Sequence, residues 1–117
     1  MTLKLDTRQT DGVTILSCAG RIMFGEEASA LRERVKELLG STKEIILNLT
    51  GVSNIDSGGL GTLVGLYSSA RSSGADIKLT GLGPRLRDVL SITKLSTVFE
   101  VYDSEAQALA AFRPKHA

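Results

Sequence analysis

A hydroxyl stands beside a carboxylate at Asp56-Ser57, and glycines follow at Gly58, Gly59 and Gly61. Two kinds of chemistry suit a serine so placed: nucleophilic attack by an activated hydroxyl, or acceptance of a phosphoryl group from a kinase. The first needs an adjacent base, and the one histidine, His116, is second from the end of the 117-residue chain, where nothing evident would hold it against Ser57. The second needs only an accessible hydroxyl in surroundings that tolerate an anion. Lys43-Glu44-Ile45-Ile46-Leu47-Asn48-Leu49 is a strand-like apolar run, and Leu60, Leu63, Val64 and Tyr67 recur at helical spacing. Ser57 therefore falls near a helix N-terminus, whose unpaired N–H groups and partial positive charge accommodate a phosphate. Asp or Ser at a helix start is ordinarily an N-cap. Asp56 is able to cap in place of Ser57, which frees the hydroxyl, and the glycines keep side chains away from an approaching partner.

Other chemistries fit less well. Asp56-Ser57-Gly58-Gly59 resembles the nucleophile region of trypsin-like proteases, but the chain is too short for two barrels and its helical patterns contradict an all-β fold. Gly59-Leu60-Gly61-Thr62-Leu63-Val64-Gly65 has the context of a dinucleotide fingerprint without its spacing, since position 64 is Val. The next strand ends Lys78-Leu79-Thr80-Gly81 and lacks the acid that would hold a ribose; Asp76 lies at its beginning. No Gly-Lys-Ser/Thr occurs, so these glycines read as close packing of helix on sheet. Cys18 is the only cysteine, which rules out an internal disulfide and a thiolate metal site, and its apolar strand makes it a core residue.

Composition narrows the partners. A net charge of +1 with acids and bases interspersed, 4% aromatic residues and no Trp supply neither a basic stripe nor stacking platforms for nucleic acid. Met1 to Asp6 lacks the apolar core of a secretory signal, and no apolar run approaches the ~20 residues that span a bilayer. The expectation is one soluble cytoplasmic domain, without metal, cofactor or membrane insertion, and with no catalysis of its own.

The elements that must position Asp56 and Ser57 follow from hydrophobic spacing. Leu3 and Leu5 alternate with Lys4 and Asp6, and after Asp11-Gly12 comes Val13 to Ala19, so the two segments predict an antiparallel hairpin ended by Gly20. Glu26 and Glu27 open a helix with Ala28, Leu31, Val35, Leu38 and Leu39 as its apolar stripe, and Gly40 stops it. Ile45-Ile46-Leu47 alternates too little for a half-exposed strand and is placed centrally with both faces covered. A helix over about 57–73 follows. Asp76 to Thr80 alternates like a strand near an edge, Pro84 opens a short helix with Leu86, Val89 and Leu90, and Thr97 to Tyr102 reads as a last strand. Ser104-Glu105-Ala106-Gln107 has capping-box spacing before a final helix closed by Pro114. This order predicts an α/β fold: a small mixed sheet, N-terminal hairpin plus parallel strands, packed with about four helices. The folded core is expected over 1–113, with a frayed tail over 114–117.

Leu47-Asn48-Leu49, Val52, Ile55 and Asp56-Ser57-Gly58-Gly59-Leu60-Gly61 resemble the signature of the bacterial anti-sigma factor antagonists of the STAS domain family. Gly20-Arg21-Ile22, Ala28 to Leu39, Gly81 to Arg87 and Ile92-Thr93-Lys94-Leu95 extend the likeness over nearly the whole chain. The resemblance implies that Ser57 is a phosphoacceptor, and that Asp56, Gly58, Gly59, Glu26 and Glu27 meet the partner around it. It implies as partners an anti-sigma factor that is also a serine kinase, and a PP2C-type phosphatase that reverses the modification. Two alternatives stay open: a constitutive interaction module of a signalling or transport complex in which Ser57 only caps, and a nucleotide sensor. No Lys or Arg lies between Lys43 and Arg71 to meet a nucleotide's phosphates.

Overall fold

The structure is a computed structural model that describes residues 3–112; Pro114, His116 and the expected tail lie outside the described residues. Strands β1 (Leu3–Thr10) and β2 (Val13–Ile22) form the expected hairpin. Asp11 and Gly12, at φ 53° and 81°, make the two-residue turn whose twist matches that of the strands. Then follow α1 (Glu26–Leu39), β3 (Glu44–Ile55), α2 (Ser57–Ser72), β4 (Asp76–Thr80), α3 (Pro84–Ile92), a short 3-10 turn, β5 (Glu100–Tyr102) and α4 (Glu105–Phe112).

The five strands lie in the order β1-β2-β3-β4-β5, antiparallel in the hairpin and parallel from β2 onward. With sequential parallel neighbours, right-handed crossovers put every connecting helix on one face. Leu16 and Ile22 of β2, Ile45, Leu47 and Leu49 of β3, and Ile77 and Leu79 of β4 accordingly bury against Leu31 and Val35 of α1, Leu63 and Leu66 of α2, and Leu86 and Leu90 of α3. Ile46 points the other way and joins Val13 and Ile15 beneath Ala108, Leu109 and Phe112 of α4. The run Ile45-Ile46-Leu47 is thus continuous because β3 is central and covered on both sides. Cys18 is buried in the larger core, and desolvation pushes its thiol up to about 12, so it packs without reacting.

Three elements depart from the expected boundaries. Gly20 does not end β2; at φ 120° it sits in a register irregularity, and the strand continues to Ile22. β3 runs six residues beyond Leu49, because the polar stretch after it pairs with the end of β2: Ala19 with Gly51, Gly20 with Val52, Arg21 with Asn54 and Ile22 with Ile55. The last strand holds only Glu100 to Tyr102, since Leu95–Thr97 is a 3-10 turn and the N–H groups of Val98 and Phe99 donate back to Leu95 O. Phe99 is still buried, edge-on to Tyr67 with ring centroids 5.4 Å apart.

β4 lies one strand from the β5 edge, but the polar member of its alternation is not solvated. Lys78 is 5% exposed, with Nζ 2.7 Å from Glu100 Oε1, 3.0 Å from Asp76 Oδ2 and 4.5 Å from the Phe112 ring centroid. Desolvation works against its charge, but the bonds to Glu100 and Asp76 outweigh it and raise the Lys78 pKa. Lys78→Ala would remove the cation that Asp76 and Glu100 share, leaving Arg71 near Asp76 and the Tyr102 hydroxyl on Glu100, and is expected to cost about 2–3 kcal/mol, below the range for fully buried pairs because Glu100 is partly solvated. Lys78→Met fills the volume but removes the same charge, so it is expected to recover only the packing part of that loss, about 1 kcal/mol. Urea unfolding of both variants checks the difference.

Candidate functional site

Ile22 and Ile55 are paired neighbours at the ends of β2 and β3, so the loops that leave them emerge side by side. One loop is Met23-Phe24-Gly25, leading into α1; the other is Asp56 alone, leading into α2. The Asp56 carboxylate joins them. It accepts from Gly59 N–H at 2.7 Å, which caps α2, and from Phe24 N–H at 3.0 Å, which pins the neighbouring loop. Asp56 N–H in turn donates to Ile22 O at 3.4 Å. The N–H groups of Phe24 and then Gly59 hold the carboxyl of Asp56 below the usual carboxylate range.

A carboxyl whose folded pKa lies below its unfolded value contributes stability above that unfolded value, about 3.9 for Asp, and the contribution disappears as pH falls through the folded value. Asp56→Asn is therefore expected to melt lower than wild type at neutral pH and to converge with it in acid. Melting temperatures from pH 7 to pH 2 by circular dichroism check this.

With Asp56 as the cap, Ser57 occupies the first position of α2. It is exposed, and its hydroxyl makes no hydrogen bond to a described residue. Gly58 and Gly59 differ from each other. Gly59 is buried, and a Cβ there would lie 1.9 Å from Ile22 O; a Cβ on Gly58 would lie 2.6 Å from Phe24 Cβ. The absence of a side chain at Gly59 thus serves the packing of α2 on β2, while Gly58 stays partly open beneath the Phe24 side chain. Glu26 is exposed and Glu27 half-buried in the first turn of α1, just beyond Phe24 and Gly25. Among the described residues no group of three His, Cys, Asp or Glu is placed to hold a metal.

Phe24 is the residue that sequence reasoning missed. It is 80% exposed, beside Gly58 and tied through its own N–H to Asp56, so a bare aromatic ring stands at the first turn of α2. The signal available in the sequence is a lone aromatic in the short segment between β2 and α1. A second missed feature is a groove of about 340 Å³ between α1 and α2, whose lining includes Phe24, Arg32 and Lys36 on one side and Gly58, Gly61 and Gly65 on the other. The cations absent from the stretch between Lys43 and Arg71 are supplied here from α1. A Cβ at Gly61 or Gly65 would meet no atom within 4 Å, so Gly61→Ala and Gly65→Ala are each expected to stabilise the fold by ~0.5–1 kcal/mol through helix propensity. Thermal melts of the two variants measure it.

No described helix is long and apolar enough to cross a membrane. The STAS domain profile matches residues 4–108. The anti-sigma-B factor antagonist of Listeria monocytogenes is 33% identical over 112 residues, covering 92% of this chain and 93% of that protein. An anti-sigma factor antagonist from Mycobacterium paratuberculosis shares the fold with a TM-score of 0.83 at 24% identity, over 97% of this chain and 96% of the other. The phosphorylated form of the Bacillus cell fate determinant SpoIIAA shares it with a TM-score of 0.72 at 18% identity, over 94% of this chain and 100% of the other. A five-stranded mixed sheet with Asp-Ser at the β3–α2 junction, matched by this profile along most of its length, makes the chain a member of the STAS domain family.

Proposed function

We propose that this protein is an anti-sigma factor antagonist. In its unmodified form it binds an anti-sigma factor that is also a serine kinase, releasing a sigma factor to transcription. Phosphorylation of Ser57 by that kinase ends the binding, and a PP2C-type phosphatase restores it. The protein is substrate and inhibitor, acts in the cytoplasm and performs no catalysis itself. The observation that carries this reading is the division of labour at the start of α2: Asp56 satisfies Gly59 N–H, and Ser57 is left exposed with a free hydroxyl. The names of the curated relatives point the same way, and the phosphorylated SpoIIAA structure is consistent with a fold that accommodates a phosphate.

Intact-mass spectrometry after incubation with ATP and the anti-sigma factor encoded nearest its gene tests the proposal. One added phosphate on the wild type and none on Ser57→Ala supports it. No phosphate on the wild type, or a phosphate that persists in Ser57→Ala, overturns the assignment of Ser57.

A further inference from the structure

We infer that the groove between α1 and α2 seats a helix of the anti-sigma factor that carries two acidic side chains one turn apart and an apolar residue beside them. The inference rests on the antagonist reading above and names which part of the partner docks, and where. Three observations on separate elements converge on it.

The first is on α2. Gly58, Gly61 and Gly65 all line the groove, and at the latter two a side chain would meet open space. Glycine in a helix interior is costly relative to alanine, and neither Gly61 nor Gly65 has a positive φ or an internal neighbour to require it. Gly59 on the buried side has such a neighbour in Ile22 O. What the bare backbone at Gly61 and Gly65 permits is close approach from outside, toward the short end of the ~8–10 Å range of helix separations. From Gly58 to Gly65 the stripe is about 10 Å long, two turns of a partner helix.

The second is on α1. Arg32 and Lys36 stand four residues apart on the groove wall, both exposed. Like charges at that spacing repel, and neither makes a side-chain hydrogen bond or ion pair with a described residue, although Arg8, Arg34, Arg71, Lys78 and Arg87 all do. None of the residues lining the groove is acidic. The complement of two cations one turn apart is two carboxylates one turn apart, which a helix presents at i and i+4. The third is Phe24, whose 80% exposed side chain stands at the Ser57 end of the groove and gives an apolar anchor of the kind that dominates binding energy.

Isothermal titration against the purified anti-sigma factor encoded nearest the gene tests the seat. Wild type, Gly65→Leu and the double variant Arg32→Glu/Lys36→Glu are compared, with a circular dichroism melt of each. The expected result is at least tenfold weaker binding for both variants, melting within a few degrees of wild type, and a flatter salt dependence for the charge-reversed protein. If Gly65→Leu melts early, Gly65→Ala, which favours the helix, replaces it and is expected to bind several-fold more weakly. Unchanged affinity in the groove variants, with wild type binding, overturns the seat and leaves the antagonist reading standing. No binding by wild type overturns both. Displacement of the anti-sigma factor from wild type by inorganic phosphate or GTP, absent in the charge-reversed variant, overturns the helix in favour of a small anion.

Discussion

Ser57→Asp is expected to bind the anti-sigma factor at least a hundredfold more weakly than wild type, whereas Ser57→Ala binds as wild type does. One added charge acts differently at the start of α2 and at a protein interface. Within the free protein a new anion is tolerated: the helix N-terminus favours it by ~0.3–1 kcal/mol, and repulsion from the ionised Asp56 offsets part of that gain. Both variants should therefore fold. At the interface the same charge has to leave water opposite a surface shaped for a hydroxyl. A loss of ~3 kcal/mol for burying it unpaired corresponds to more than a hundredfold in Kd, and phosphoserine, at about −1.5 to −2 at pH 7, exceeds the single charge of Asp. Titration calorimetry of the three proteins against the anti-sigma factor measures it. Retained affinity in Ser57→Asp would sink the electrostatic switch.

Gly59→Ala is expected to destabilise the fold by about 3 kcal/mol or more, at the upper end of overpacking. The added Cβ would lie 1.9 Å from Ile22 O, and the atom in the way is a backbone carbonyl, which has no rotamer to escape into. Relief requires α2 to move away from β2, and that strains the bonds that tie its N-cap to the neighbouring strand end and loop: Asp56 N–H to Ile22 O at 3.4 Å and Phe24 N–H to the Asp56 carboxylate at 3.0 Å. For a domain of this size the melting temperature should fall by roughly 10 °C or more. Urea unfolding beside Gly61→Ala, two residues along and expected to be stabilising, separates the clash from a general intolerance of alanine in α2.

What was legible in the sequence was local. Asp56 could be assigned as cap and Ser57 as the exposed neighbour because both roles follow from a strand-to-helix junction within a few residues. Ile45-Ile46-Leu47 announced a central strand because its alternation fails on both faces. The features that stayed hidden depend on partners distant in the chain. Phe24 becomes part of the site only through a bond to Asp56, 32 residues on. The end of β3 has too many polar and glycine residues to read as a strand and is held by its pairing with β2. The burial of Lys78 could not be read from the alternation of β4, because its partners Glu100 and Phe112 lie more than twenty residues on. Arg32 and Lys36 fall outside the apolar stripe of α1, and only the packing of α2 alongside makes them the wall of a groove.

The double hold of Asp56 on Phe24 and Gly59 has a kinetic corollary. Both loops that would greet an incoming protein are already fastened to one another, so little ordering entropy is left to lose on encounter. Association can then proceed as a collision of preformed shapes, and recognition becomes a comparison of surfaces.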